Sequence, residues 1–121
     1  MADELTLRVS LSYEKASKIA ELLFGPVSID VAGGRPLSNV QSIGFAAEEA
    51  VVVGDAGAGG YFMAINRDAT NYVELRPGSG LADLIKLLPG DVCLFRLTGD
   101  ATLYALANTA AVDLEYVILP L

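Results

Sequence analysis

Between residues 54 and 89 short apolar runs are separated by corners that only turns can occupy, and this punctuation most restricts the fold. The stretch reads GDAGAGGYFMAINRDATNYVELRPGSGLADLIKLLP, with GDVCLFRL following at once. Two strand-like runs, residues 61–65 and 72–76, flank the polar corner Asn66-Arg67-Asp68-Ala69-Thr70-Asn71. A glycine-rich bend precedes them and Pro77-Gly78-Ser79-Gly80 follows. Gly, Pro, Asn and Asp supply the turns, each for its own steric or hydrogen-bonding reason, while β-branched and aromatic residues fill the strands. The pattern is that of an antiparallel all-β domain.

The rest of the chain continues in this mode. Over residues 4–13, Leu5, Leu7, Val9, Leu11 and Tyr13 point one way and Thr6, Arg8, Ser10 and Ser12 the other. A period of two predicts a half-buried strand. It serves either as the first strand of the chain's own fold or as an arm that adds to another subunit. In residues 16–24 (ASKIAELLF), Ile19, Leu22 and Leu23 have helical spacing, with Ser17 as a cap and Gly25-Pro26 as a stop. One or two helical turns and an irregular loop both fit. Val27, Ile29 and Val31 alternate again up to a Gly33-Gly34 turn, and residues 35–42 suit an irregular or edge strand.

The valines at 51, 52 and 53 predict a strand that is buried on both faces or set at a tight sheet contact. Tyr61, Met63 and Ile65 oppose Phe62, Ala64 and Asn66, apolar on both sides as in a central strand. Leu81, Leu84, Ile85 and Leu88 predict two helical turns, with a β-edge over 84–88 as the alternative. Residues 92–98 and 102–107 read as a hairpin joined through Gly99-Asp100, and residues 114–121 form a last strand with Leu114, Tyr116 and Ile118 on one face. Arg96 stands alone in an apolar strand, which implies an edge or a carboxylate partner. The expected fold is one antiparallel β-sandwich or jelly-roll-like domain over residues 1–121, with residues 1–13 as a candidate arm. It would have about eight strands and at most one or two short helical turns.

Several function classes are disfavoured. The net charge is −7 and the eight basic residues are scattered, so the chain lacks the clustered Lys and Arg that phosphates or an anionic membrane require. No apolar run is long enough to cross a bilayer as a helix, and the acidic, alternating start differs from a signal peptide, so a cytosolic origin is expected. There is no histidine, which removes Ser-His and Cys-His catalysis, and the single cysteine, Cys93, reads as an inert thiol in a strand. The bend at 54–60 lacks both the G-x-G-x-x-G spacing and a Lys-Ser/Thr pair. Asp68 with the neighbouring asparagine carbonyls has the look of a calcium loop. The EF-hand spacing is absent, however, and Asx turns account for the same residues. No pair among the 15 carboxylates stands out for glycoside hydrolysis. The expectation is a non-enzymatic protein with no catalytic, metal or cofactor-binding residues. Apolar residues make up 53% of the chain, more than one small core need hide, which favours burial against partners.

One group of residues is more specific. The order Glu48-Glu49-Ala50-Val51, Gly54-Asp55, Gly60-Tyr61-Phe62 and the run from Asn66 through Tyr72-Val73-Glu74-Leu75 resembles small virion proteins of tailed bacteriophages. So do Leu88-Pro89-Gly90, Phe95-Arg96-Leu97, Tyr104-Ala105-Leu106-Ala107-Asn108-Thr109 and Leu114-Glu115-Tyr116-Val117-Ile118. The resemblance covers the C-terminal two-thirds. It implies a structural subunit of a phage particle, first a capsid decoration (cement) protein, and next a tail, head-tail connector or fibre-base component. It further implies a homotrimer or other homo-oligomer, a major capsid protein or other virion subunit as partner, and a place in the virion after synthesis in the bacterial cytoplasm. A lectin-like carbohydrate-binding module is the alternative from another class, although no Trp is present to stack on sugars. The candidate interaction residues are Leu5, Leu7 and Val9 in the N-terminal strand and Asn66, Arg67, Asp68 and Asn71 in the polar corner.

Overall fold

A computed structural model describes residues 5–30, 35–56, 59–99 and 102–120. These described residues form an all-β fold, with ten strands paired antiparallel in three sheets, none of which closes into a barrel. The chain divides into two compact units, Met1–Gly33 and Gly34–Leu121, called the arm and the body below. The predicted turn at Gly33-Gly34, Asp100 in the turn after Gly99, and the first four residues of the predicted arm lie outside the described residues.

The arm is a single long hairpin of β1 (Leu5–Lys15) and β2 (Lys18–Ile29). The first strand forms as its alternation predicts. The helix or loop expected over 16–24 is instead β-strand: Leu22 lies opposite Leu11, Phe24 opposite Val9 and Ala20 opposite Tyr13. Pairing satisfies every second apolar residue of β2 with an apolar residue of β1, whereas a helix would have aligned only Ile19, Leu22 and Leu23. Two residues close the hairpin, Ala16 at φ 50° and Ser17 at φ 69°. Positive φ at both central positions fits the twist of the flanking strands, but the usual Asn-Gly is missing, so the turn left no mark in the sequence. Farther along, Gly25 and the cis-linked Pro26 form a bulge between the Val9–Phe24 and Leu7–Val27 pairs. Gly25 has φ +84°, and a Cβ there would lie 2.3 Å from the Leu7 carbonyl oxygen, so only glycine fits.

The body holds two four-stranded sheets. One has the order β3 (Leu37–Ile43), β10 (Val112–Leu119), β5 (Gly59–Asn66), β8 (Val92–Thr98). The other has β4 (Glu49–Ala50), β9 (Tyr104–Ala107), β6 (Val73–Arg76), β7 (Ile85–Leu87). One buried cluster draws Ile43, Phe62, Ala64, Leu114, Tyr116 and Ile118 from the first sheet and Val73, Leu75, Leu87, Ala105 and Ala107 from the second. In β5 and β10 burial alternates strictly, as period-two strands require. Phe62 packs against Phe95 and Tyr116, with ring centroids 5.3 and 5.7 Å away. As expected, residues 37–43 form an edge strand, and Arg96 lies on edge strand β8, its guanidinium 5.7 Å from the centre of the Tyr61 ring.

Three expectations for the body are corrected. Residues 92–98 and 104–107 do not form a hairpin, because β8 and β9 belong to different sheets. In the same way, the corner after Asn66 carries the chain from β5 in one sheet to β6 in the other. The helical turns expected over 81–88 are absent; Ile85–Leu87 is an edge strand, and the Leu84 N–H bonds to the Leu75 carbonyl. The three valines do not form a doubly buried strand: only Val51 is buried, and Val52 is exposed. At Val52 side chains take over the backbone hydrogen bonds, while the Val51 N–H donates to the Leu103 carbonyl. The Val52 N–H donates to Gln41 Oε1 at 2.9 Å, and the Val52 carbonyl accepts from the Tyr116 hydroxyl at 2.5 Å.

Candidate docking surface

The arm presents a continuous apolar face. By register, Leu5 pairs with Ile29, Leu7 with Val27, Val9 with Phe24, Leu11 with Leu22 and Tyr13 with Ala20. Directly opposed residues of an antiparallel pair share a face, so these side chains form one strip, ending at the tip in the Lys15–Lys18 pair. The other face carries Thr6, Ser10, Ser12, Glu14, Glu21 and Ser28, with Ile19 and Leu23 as apolar exceptions. Leu11 is 69% exposed and Leu22 71%, and Val9, Tyr13, Phe24 and Val27 are exposed as well. Of the three candidate residues here, Leu5 and Leu7 are half-buried and Val9 is exposed. Sequence reading found the alternation of Val27 and Ile29 but missed the first half of β2; the alternation of Ala20, Leu22 and Phe24 would have revealed it.

The body has a second apolar surface, on the side of β5 turned away from the core. Val117, Met63 and Leu94 lie abreast across β10, β5 and β8, and Ile65 lies beside Val92. Met63 is 42% exposed, and Val92 is exposed too. A shallow recess of about 170 Å³ is lined by Met63, Ile65, Arg67, Glu115, Tyr116 and Val117. Arg67 Nε donates to Glu115 Oε1 at 2.6 Å beside it. Asp113 and Asp91 lie near that end of the face, and Arg96 lies at the opposite end.

The polar corner joins Asn66, Arg67, Asp68 and Asn71, and three of the four are engaged internally. Asn66 is 1% exposed. Its Nδ2 donates to the carbonyls of Asn71 and Leu87, each at 2.9 Å, and its Oδ1 accepts from the Asp68 N–H at 2.8 Å. Its backbone N–H and carbonyl bond to Asp91 and Gly90. Asp68 Oδ2 accepts from the N–H groups of Thr70 and Asn71 at 2.9 and 2.6 Å. Those backbone donors, Thr70 first, hold the Asp68 carboxyl below its usual range. Asn71 Oδ1 accepts from the Thr109 hydroxyl at 2.9 Å. Asx-type bonding therefore shapes a crossing between sheets, and Arg67 is the member that faces outward most fully. Among the described residues no group of three or more His, Cys, Asp or Glu side chains is placed to hold a metal ion.

Another polar cluster was not foreseen. Arg76 Nη1 donates to Glu48 Oε1 at 2.8 Å and Arg76 Nε to Asp83 Oδ1 at 2.7 Å. The Glu48 carboxylate also accepts from the Gly80 N–H at 2.9 Å. That backbone bond first, then Ser79 and Arg76, lowers the Glu48 pKa. The cluster ties the loop at 78–80 to β6 and to the segment before β4. Burial pushes the Cys93 thiol up to about 11, so little thiolate forms near neutral pH. Comparison with protein families, with curated proteins and with solved structures yields no match to this chain.

Proposed function

We propose that this protein is a non-enzymatic structural subunit that works by docking, and that its setting is the particle of a tailed bacteriophage, as a decoration protein on the outer shell. The observation that carries the docking role is the arm: a long hairpin whose apolar strip is exposed from Val9 to the tip and back to Val27. A two-stranded hairpin is marginal by itself and needs a covering layer. Exposed apolar strips of this extent mark contact surfaces. The phage setting rests on the sequence resemblance. The body suits that role as a β-sandwich, its two four-stranded sheets sharing one core cluster. The polar clusters around Asn66 and Arg76 are taken up in bracing loops, which supports a scaffold over a catalyst.

On this reading the subunit is made in the host cytoplasm, self-associates and bridges neighbouring shell subunits, many modest contacts adding up through avidity. Quantitative mass spectrometry of purified particles tests the setting. A copy number comparable to that of the shell protein is the expected result. A small ring's worth of copies would move the protein to the tail or connector, and absence from the particle would overturn the phage setting altogether.

A further inference from the structure

We infer that the arm's apolar strip is covered by the outer β5 face of a second copy of this chain, so that each subunit gives an arm to one neighbour. Among the described residues two sheet surfaces expose apolar side chains, the arm strip and the Met63–Leu94–Val117 face. Sheets cover such surfaces by packing face to face. With 11 residues in β1, the strip runs for roughly 35 Å at about 3.3 Å per residue. A two-strand strip of that length against a sheet buries on the order of 1,000 Å² over both partners, at the lower limit for a specific interface.

Charge supports the pairing and sets its direction. The strip ends in Lys15 and Lys18 at the tip and leads to Asp30 at its base. The β5 face runs from Arg96 at one end to Asp113 and Glu115 at the other, where Arg67 pairs with Glu115 and Asp113 adds a further carboxylate. One orientation places the lysine tip on the acidic end and the arm's base toward Arg96; the reverse orientation sets like charges together. Face-to-face packing of two arms would leave the β5 surface in water. An arm that meets a face closes a twofold dimer when two copies exchange arms, and otherwise closes into a ring or propagates. The recess beside Met63 gives an arm side chain such as Leu22 or Phe24 a place to seat.

Complementation between two monomeric variants tests this. The full-length wild type is expected to self-associate in sedimentation velocity over a concentration series. Leu22→Asp (arm) and Met63→Asp (face) should each weaken association at least about a hundredfold, because a carboxylate would be buried without a partner. An equimolar mixture of the two should form dimers, one intact arm meeting one intact face, which also shows that both variants are folded. Ser12→Lys, on the polar side of the arm, should keep the wild-type mass. A wild type that stays monomeric throughout overturns the inference, as does a mixture that stays monomeric. Wild-type association retained by Met63→Asp also overturns it, and would assign the contact to two arms. The result is independent of whether the protein is found in phage particles.

Discussion

The arm and the body are built on the same period of two and reach opposite ends. In β5 and β10, alternate side chains enter a core shared by two sheets, and Phe62, Leu114 and Ile118 are wholly shielded from water. In β1 and β2 the alternation is just as regular, but most of the apolar side chains are exposed. Alternation therefore encodes which side of a strand needs cover; it does not encode whether the same chain provides it. The body holds its own covering layer. The arm, a two-stranded sheet, holds no such layer of its own.

The sharpest way to break the comparison is to delete the same kind of side chain from each unit. Phe62→Ala removes a ring packed between Phe95 and Tyr116 and should cost about 4 kcal/mol of body stability in urea unfolding. Leu22→Ala, at concentrations where the chain is monomeric, should stay within about 0.5 kcal/mol of wild type, since its side chain is already in water. Comparable losses from both would mean that the arm strip is covered within the monomer.

Asn66→Ala follows in size. The buried amide satisfies the carbonyls of Asn71 and Leu87 and receives the Asp68 N–H, so its loss strands three backbone groups, two in the corner and one on β7. The expected cost is about 3 kcal/mol, again by urea unfolding, and an unchanged midpoint would remove Asn66 from the bracing role. This residue also shows where sequence reading stopped. That residues 66–71 form a corner was legible from composition alone. That Asn66 turns inward, while Arg67 beside it turns out, depends on Leu87, 21 residues on, which no local pattern reveals. The all-β class was legible for the converse reason, because alternation and turn residues are local. The pairing of β8 with β5 and of β9 with β6 was hidden because sequence neighbours separate into different sheets. The role of Gln41 as a substitute strand partner for Val52 was hidden likewise.

A smaller effect distinguishes the units by pH. The Glu48 pKa is lowered by the Gly80 N–H, by Ser79 and by Arg76. A carboxyl whose folded pKa lies below its unfolded value stabilises the fold above the unfolded pKa, and that contribution is lost as the pH falls through the folded one. Body stability should therefore decline below about pH 4, and Glu48→Gln should lower stability at neutral pH while making the acid decline shallower. A steepness unchanged in Glu48→Gln would assign the decline to Asp68 or other carboxylates. Neither Glu48 nor Asp68 lies in the arm, so arm amide exchange, corrected for intrinsic rates, should not follow the Glu48-dependent part of that profile.

The smallest effect concerns the arm alone and asks how much of its order is its own. Its two-residue turn holds Ala16 and Ser17 in the left-handed region, where an L side chain crowds its own backbone. The lysines on either side, paired across the strands, repel each other as well. Both features weaken the tip, the part of the arm farthest from its base. Replacing the pair by Asn-Gly (A16N with S17G) relieves the first without touching the apolar strip. Arm amides should then exchange roughly fivefold more slowly, which corresponds to about 1 kcal/mol for the opened hairpin, while body amides keep their rates. If the arm depends on a second copy for its cover, the same slowing should also appear in the unmodified protein as its concentration is raised, and the gain from the new turn should shrink there. A turn variant that slows exchange equally at every concentration would show a hairpin that is ordered by itself.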